Sequence, residues 1–580
     1  MRLHLPIALL AVIAGTVAQA TMRPELIENV ASGETREASE DFMTHVQSQY
    51  SSANTYELIG VITKDGQGTL TVSQGYNLNC SLNVREGELY IGNGAEGEHI
   101  TILAQPHLSD SPTISIGGNN ASMVLDNATF KYNVHDSNNR TSYVSAIAIG
   151  NSDGAGSLEL KNNSVLYTSQ SFFAYTVNCQ GHVQGTYAGT EGEALYTGGI
   201  KGQSSLIISG GSKAQAGITF YFADIDITVD GQGSVFEDGV RNISNYGGWL
   251  GDVDGSGSTD VVTNVTIQNG GTWTSRNDLT ASAAEGATTN ITVTGEGSTF
   301  NSERNTKLGY TGLTTTTNLT VTDKAVANIT DVTVGTEDGK ATSTVTIGED
   351  STLNAGAVKV YEGGEIINNG AINEGKTEKV LSWRDDSSMG LSGGYAATTE
   401  TVVAGITLEG GSLENAGSIE LDIVMTGGQL TAKDGAVFSD ITALGGTINV
   451  DGSITMGVLT LGEVENTASG EVAVMTLATA AEADKAVKLV LSQGASINAS
   501  EVAGLDNADI IITIADYQDG DVLNTGHQYI VGAAADTKVT VVNAKGETFN
   551  NVSIATVPEP TTATLSLLAL AALAARRRRK

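Results

Sequence analysis

Short runs with apolar residues two apart, each followed by a turn of Gly, Asp, Asn and Ser, recur along the chain. They appear as Leu158-Glu159-Leu160, Ile227-Thr228-Val229, Val265-Thr266-Ile267, Ile291-Thr292-Val293, Leu319-Thr320-Val321 and Val345-Thr346-Ile347, and from Val265 onward they are spaced by 26, 28 and 26 residues. A second short strand ending in glycine lies between them, as Ile147-Ala148-Ile149-Gly150, Lys307-Leu308-Gly309 and Val332-Thr333-Val334-Gly335. Apolar residues alternating with threonine give each strand one buried and one wet face. Units this short cannot bury a face alone and have to stack. Stacking them in register predicts an all-β fold, a right-handed parallel β-helix in which each coil adds about 4.8 Å. An antiparallel sandwich would need two-residue hairpin turns, which are scarce here.

The ends break the pattern. Residues 35–49, with Ala38, Phe42, His45 and Val46 on one side, predict a short amphipathic helix covering the first coil, whose open end would otherwise be an edge strand. After about Glu463 the repeat fades, and residues 509–514, 528–531 and 538–542 read as longer strands. The plan is a signal peptide at 1–20, an N-terminal cap at 21–56, β-helix repeats at 57–462, a β-rich C-terminal module at 463–556 and a sorting tail at 557–580. The signal peptide rests on basic Arg2, the apolar stretch from Leu5 to Val17, and Ala18 and Ala20 before the cleavage point.

In the tail, Pro558-Glu559-Pro560 precedes an apolar run over 561–575, and Arg576, Arg577, Arg578, Arg579 and Lys580 follow. A 15-residue helix spans roughly 22 Å, short of a hydrocarbon core of about 30 Å, so it suits transient inner-membrane anchoring with the cations on the cytoplasmic side. In this order of elements the tail resembles that of the PEP-CTERM family of Gram-negative surface proteins. The resemblance implies recognition by an exosortase, removal of the helix, and delivery to the cell surface or extracellular matrix. The coil repeat is similar to that in the passengers of bacterial autotransporter adhesins. That family's terminal β-barrel has no counterpart here, and only the rod is shared.

Charge narrows the partners. Setting aside Arg2 and the five terminal cations leaves 24 basic residues against 65 acidic ones, a net charge of −41. Nucleic acid is excluded as a partner, while neutral polysaccharide, host glycoprotein or divalent cations are compatible. The 70 glycines accompany only six prolines, none between Pro112 and Pro558, as a ladder that needs every N–H donor requires. Cys80 and Cys179 are too few for a disulfide scaffold. In an oxidising exterior they either pair with each other or stay as two buried thiols.

Candidate chemistry is sparse. Two G-x-S-x-G matches, at 150–154 and 390–394, lack the following helix that a nucleophile elbow needs. Polysaccharide hydrolysis or lysis would require carboxylates converging on one groove, and 65 acids single out no pair. Residues 252–260 resemble a calcium loop, with Asp252, Asp254, Ser256 and Asp260 as oxygen ligands, but position twelve is Thr263 and not a carboxylate. That segment is either a Gly/Asp turn or a calcium site; no other cofactor is implied. Of 30 aromatic residues, 12 lie between Tyr167 and Trp249. They either fill the core or stack on sugars, in which case Tyr246, Trp249 and Trp273 are the glycan contacts. The expectation is a non-catalytic structural or adhesive rod, with a polysaccharide-binding or polysaccharide-degrading protein as the alternative.

Overall fold

The computed structural model describes residues 25–39, 61–78, 81–104, 114–132, 146–150, 154–168, 171–174, 203–216, 219–222, 224–238, 247–251, 261–382, 398–462, 487–493, 495–505, 510–521, 530–533 and 537–554. Their regular structure is β-strand, and no helix occurs among the described residues. The chain divides into two units, residues 1–206 and 207–580.

In the first unit three parallel ladders form. One joins Glu25–Asn29, Val61–Asp65, the start of Ser81–Gly92, the start of Ile114–Asp126, and Ala146–Ile149. The second joins Thr35–Glu37, Thr69–Val72, the later parts of the same two long strands, and Gly156–Lys161. The third joins Tyr76–Leu78, Ile100–Ala104, Ala128–Tyr132 and Val165–Thr168. Thr35–Glu37 corrects the helical cap: the N–H and C=O groups of Thr69–Val72 need a partner, and an extended segment supplies one where a helix cannot. The remainder of the expected cap helix, like the C-terminal hydrophobic helix, lies outside the described residues.

The second unit repeats the scheme. Its first ladder runs from Ile225–Asp230 through Val262–Gln268, Thr288–Thr294, Thr316–Thr322 and Thr342–Ile347 to Gly364–Asn368. Val265, Ile291, Leu319 and Val345 are direct partners in it, so the sequence spacing is the coil length. The second ladder includes Val235–Asp238, Thr272–Ser275 and the first parts of Thr299–Leu308, Val326–Val334 and Thr352–Val360. The third takes Gly247–Leu250, Asp278–Ala281 and the second parts of those three long strands. One strand per ladder per coil is the pairing pattern of a β-solenoid. Parallel pairing continues across residue 463, linking Gly446–Asp451, Val487–Leu491, Ile510–Ile514 and Lys538–Val542. It ends in an antiparallel pair between Lys538–Val542 and Thr548–Ser553.

Coil length changes along the unit. Ser412 pairs with Gln429 and Gln429 with Thr447, a spacing of 17 or 18 residues. The saving comes from shorter strands and a shorter turn between the third and first ladders, seven residues between Val334 and Thr342 but three between Met425 and Gln429, where a Cβ on Gly428 would lie 2.4 Å from the Gly411 carbonyl oxygen.

Alternation decides which side chains face inward. Thr288–Thr294 and Thr316–Thr322 bury every second residue, and each buried Val, Ile or Leu contributes about 1.5–3 kcal/mol. Interior columns stack like on like: Phe236, Trp273 and Phe300 are register partners, with ring centroids 4.8 and 6.2 Å apart in edge-to-face geometry. Outward columns are polar. Asn290 donates to Asn264 Oδ1 and Asn318 to Asn290 Oδ1, both at 2.8 Å. On the second ladder Asn328 donates to Asn301 and Asn354 to Asn328, at 2.8 and 2.7 Å. Buried serines stitch the turns: Ser298 donates to the Thr294 carbonyl and accepts the Gly270 N–H of the preceding coil. Replacing Asn328 by Ala removes two amide hydrogen bonds at about 1 kcal/mol each. Urea unfolding should place Asn328→Ala about 1–3 kcal/mol below the parent, against under 0.5 kcal/mol for a solvated outward threonine such as Thr320→Ala.

Candidate functional site

The corner between the second and third ladders of the second unit gathers the ionisable groups. Parallel register places Asp278, Asn305 and Asp331 one above another on successive coils. Here Arg276 pairs with Glu237, and the buried Arg304 approaches Asp278 with its Nε 3.4 Å from Oδ1. The ladder also slips between Ser302 and Asn305, and the strand's unbroken alternation carries Arg304 inward with Ser302 and Thr306. A hairpin of Glu378–Ser382 and Thr398–Thr401 is inserted between Glu374 of the second ladder and Gly405 of the third. Its Lys379 is buried and pairs with Asp331. The incoming chain passes so close to the corner that a Cβ on Gly356 would lie 2.3 Å from the Lys376 carbonyl oxygen, so glycine is required there.

Below that corner lies a second polar feature. Asp238 is fully buried in the column of Ser275 and Ser302. Burial pushes its carboxyl up to about 7, while hydrogen bonds from Ser275 and Asn277 act in the opposite direction. Ser275 Oγ and Asn277 Nδ2 donate at 3.3 and 3.1 Å. No lysine or arginine neutralises it among the described ion pairs.

Two surface features lie elsewhere among the described residues of the second unit. An open groove of about 560 Å³ crosses the first ladder, lined by Thr342, Thr344, Glu365, Ser412, Gln429 and Thr447. Trp249 and Tyr310 form a tilted pair with centroids 6.2 Å apart, and Tyr310 is 40% exposed.

Most residues singled out from sequence fall outside the described residues: Ala18, Ala20, Cys80, Cys179, Tyr246, Asp252, Asp254, Ser256, Asp260, Pro558, Glu559, Pro560 and Arg576 to Arg579. Trp273 is a correction. Only 1% exposed and sandwiched between Phe236 and Phe300, it cannot present a face to a sugar. Trp249 keeps partial exposure. The asparagine columns went unread although their signal is plain, in Asn264-Val265, Asn290-Ile291 and Asn318-Leu319 before each strand core. Lys379 with Asn305 had no such signal, since 74 residues separate them.

These pairings define an all-β protein of stacked parallel coils. Residues 556–580 match the PEP-CTERM protein-sorting motif. That motif implies an exosortase as processing partner and export to the cell surface. No curated protein and no solved structure matches the chain.

Asp238 gives a pH signature. Its folded-state pKa lies above the unfolded value of about 3.9, so its stabilising contribution is complete below that pH and is lost as pH rises through about 7. Denaturant titrations from pH 4 to 8 should show stability falling by up to about 4 kcal/mol from this group. Asp238→Asn should flatten that fall and be the more stable protein at pH 8.

Proposed function

We propose that this chain is an exosortase-sorted protein of the cell surface or extracellular matrix, and that its coils form a non-catalytic structural and adhesive rod. The observation that carries the reading is the set of outward asparagine and threonine columns held in register from coil to coil. They repeat one neutral, hydrogen-bonding surface at the coil spacing, which suits a long contact better than a single pocket. The acidic composition keeps the remaining surface soluble and averse to anionic partners. Transient inner-membrane anchoring through residues 561–575, handling by the secretion machinery and a place in the biofilm matrix belong to this reading. So does a β-helix like those of autotransporter adhesins, with Cys80 and Cys179 and the Asp252 loop as its open chemistry.

A second reading is favoured by the groove and the aromatic pair. Hydroxyls, one amide and one carboxylate in the groove, with Trp249 and Tyr310 exposing ring surface, match the chemistry of a polysaccharide chain. Binding alone, or cleavage by a hydrolase or lyase step, would follow.

Binding of the purified chain to immobilised glycoproteins and bacterial polysaccharides, with and without calcium, separates these. Saturable binding that Trp249→Ala or Tyr310→Ala weakens about tenfold supports a glycan contact, since that factor corresponds to about 1.4 kcal/mol of lost stacking. Binding unaffected by those changes but spread over many coils supports the rod surface. Shortening of a soluble polysaccharide would overturn the non-catalytic assignment.

A further inference from the structure

The inserted hairpin brings an amine, a carboxamide and a carboxylate together under cover. Lys379 Nζ lies 2.6 Å from Asn305 Oδ1 and is ion-paired with Asp331 Oδ2. Asn305 Nδ2 in turn donates to Asp278 Oδ1 at 2.8 Å, which fixes the plane of the carboxamide and leaves its oxygen toward Lys379. With a C=O bond of about 1.23 Å, the lysine nitrogen is no more than about 3.8 Å from Asn305 Cγ. Lys379 is 6% exposed, so its amine is largely shielded from competing water, while the side chains of Asp331 and Asp278 keep 21% and 35% exposure. Both backbones are held: Asn305 by the ladder to Asp331, and Lys379 by its antiparallel pairing with Glu400.

We propose that Lys379 and Asn305 become joined by an intramolecular isopeptide bond that the folded chain forms without an enzyme. Asp331 takes a proton from the Lys379 ammonium across their ion pair, which frees the nitrogen lone pair. The amine attacks Asn305 Cγ. Asp331 delivers a proton to Nδ2 and accepts the second proton of the attacking nitrogen. The Cγ–Nδ2 bond breaks, and Nδ2 leaves as ammonia, which departs as ammonium with the remaining proton. One C–N bond forms, one breaks, and no oxidation state changes. Asp331 serves as the proton shuttle, while Asp278 positions the carboxamide. Holding the partners this close raises their effective concentration far above that of any free amine, which lets an unreactive amide acylate a lysine on a biological timescale. The product ties the hairpin covalently to a coil 74 residues earlier.

A tryptic map of the purified full chain tests this. Acylated Lys379 resists trypsin, so the expected product is the tripeptide Asn305-Thr306-Lys307 joined to residues 377–384, with a mass one ammonia below the sum of the two. In Asp331→Ala the branched peptide should form on the order of a hundredfold more slowly, and in Lys379→Arg it should be absent. Unmodified 305–307 together with free 377–379 and 380–384 would overturn the proposal. So would a loss of water with Lys379 joined to the Asp331 peptide, 325–340, or full cross-linking in Asp331→Ala.

Discussion

Everything in this molecule depends on backbone hydrogen bonding between one coil and the next, strand on strand and in register. A parallel ladder places residue above residue at about 4.8 Å, so no side chain has freedom to choose its neighbour. Like therefore stacks on like. The amide of Asn328 receives from Asn354 and gives to Asn301, and Phe236, Trp273 and Phe300 meet edge to face. The same rule concentrates charge, because a carboxylate at a corner is set directly against the residue one coil away. Asp278 and Asp331 bracket Asn305 for this reason, and a lysine from an inserted segment comes in to meet Asp331 and Asn305.

Much of the coil was legible in the chain because its period is written in apolar-threonine-apolar triplets. Those triplets are the registered positions, as Val265, Ile291, Leu319 and Val345 demonstrate. Parity along a strand carried the burial too: Trp273 sits two residues before the buried Ser275, on the same face. Aromatic density alone obscured that and suggested a sugar-facing surface. The helical spacing over 35–49 misled for a different reason. Local periodicity yields to an unpaired ladder edge, which can be satisfied only by extended chain such as Thr35–Glu37. The corner cluster was beyond any local reading, since register and a 74-residue contact assemble it.

Address and body are separate pieces of information in this chain. The motif at 556–580 directs sorting and constrains nothing about the coils before it. The coils have their own demands: a continuous apolar interior, glycine where turns of successive coils touch, and polar columns outside. Asp238 is the one described carboxylate that runs wholly against the first of these, and its raised pKa is the physical expression of that conflict.

The hairpin at 378–401 enters and leaves through one corner while the ladders on either side keep their pairing, Ala371 with Ser418 and Ala357 with Gly405. A corner can thus accept a graft of about thirty residues at the modest entropic cost of a surface loop. Such a chain is a modular display frame, on which new contact elements can be hung at one vertex per coil without renegotiating the scaffold that carries them.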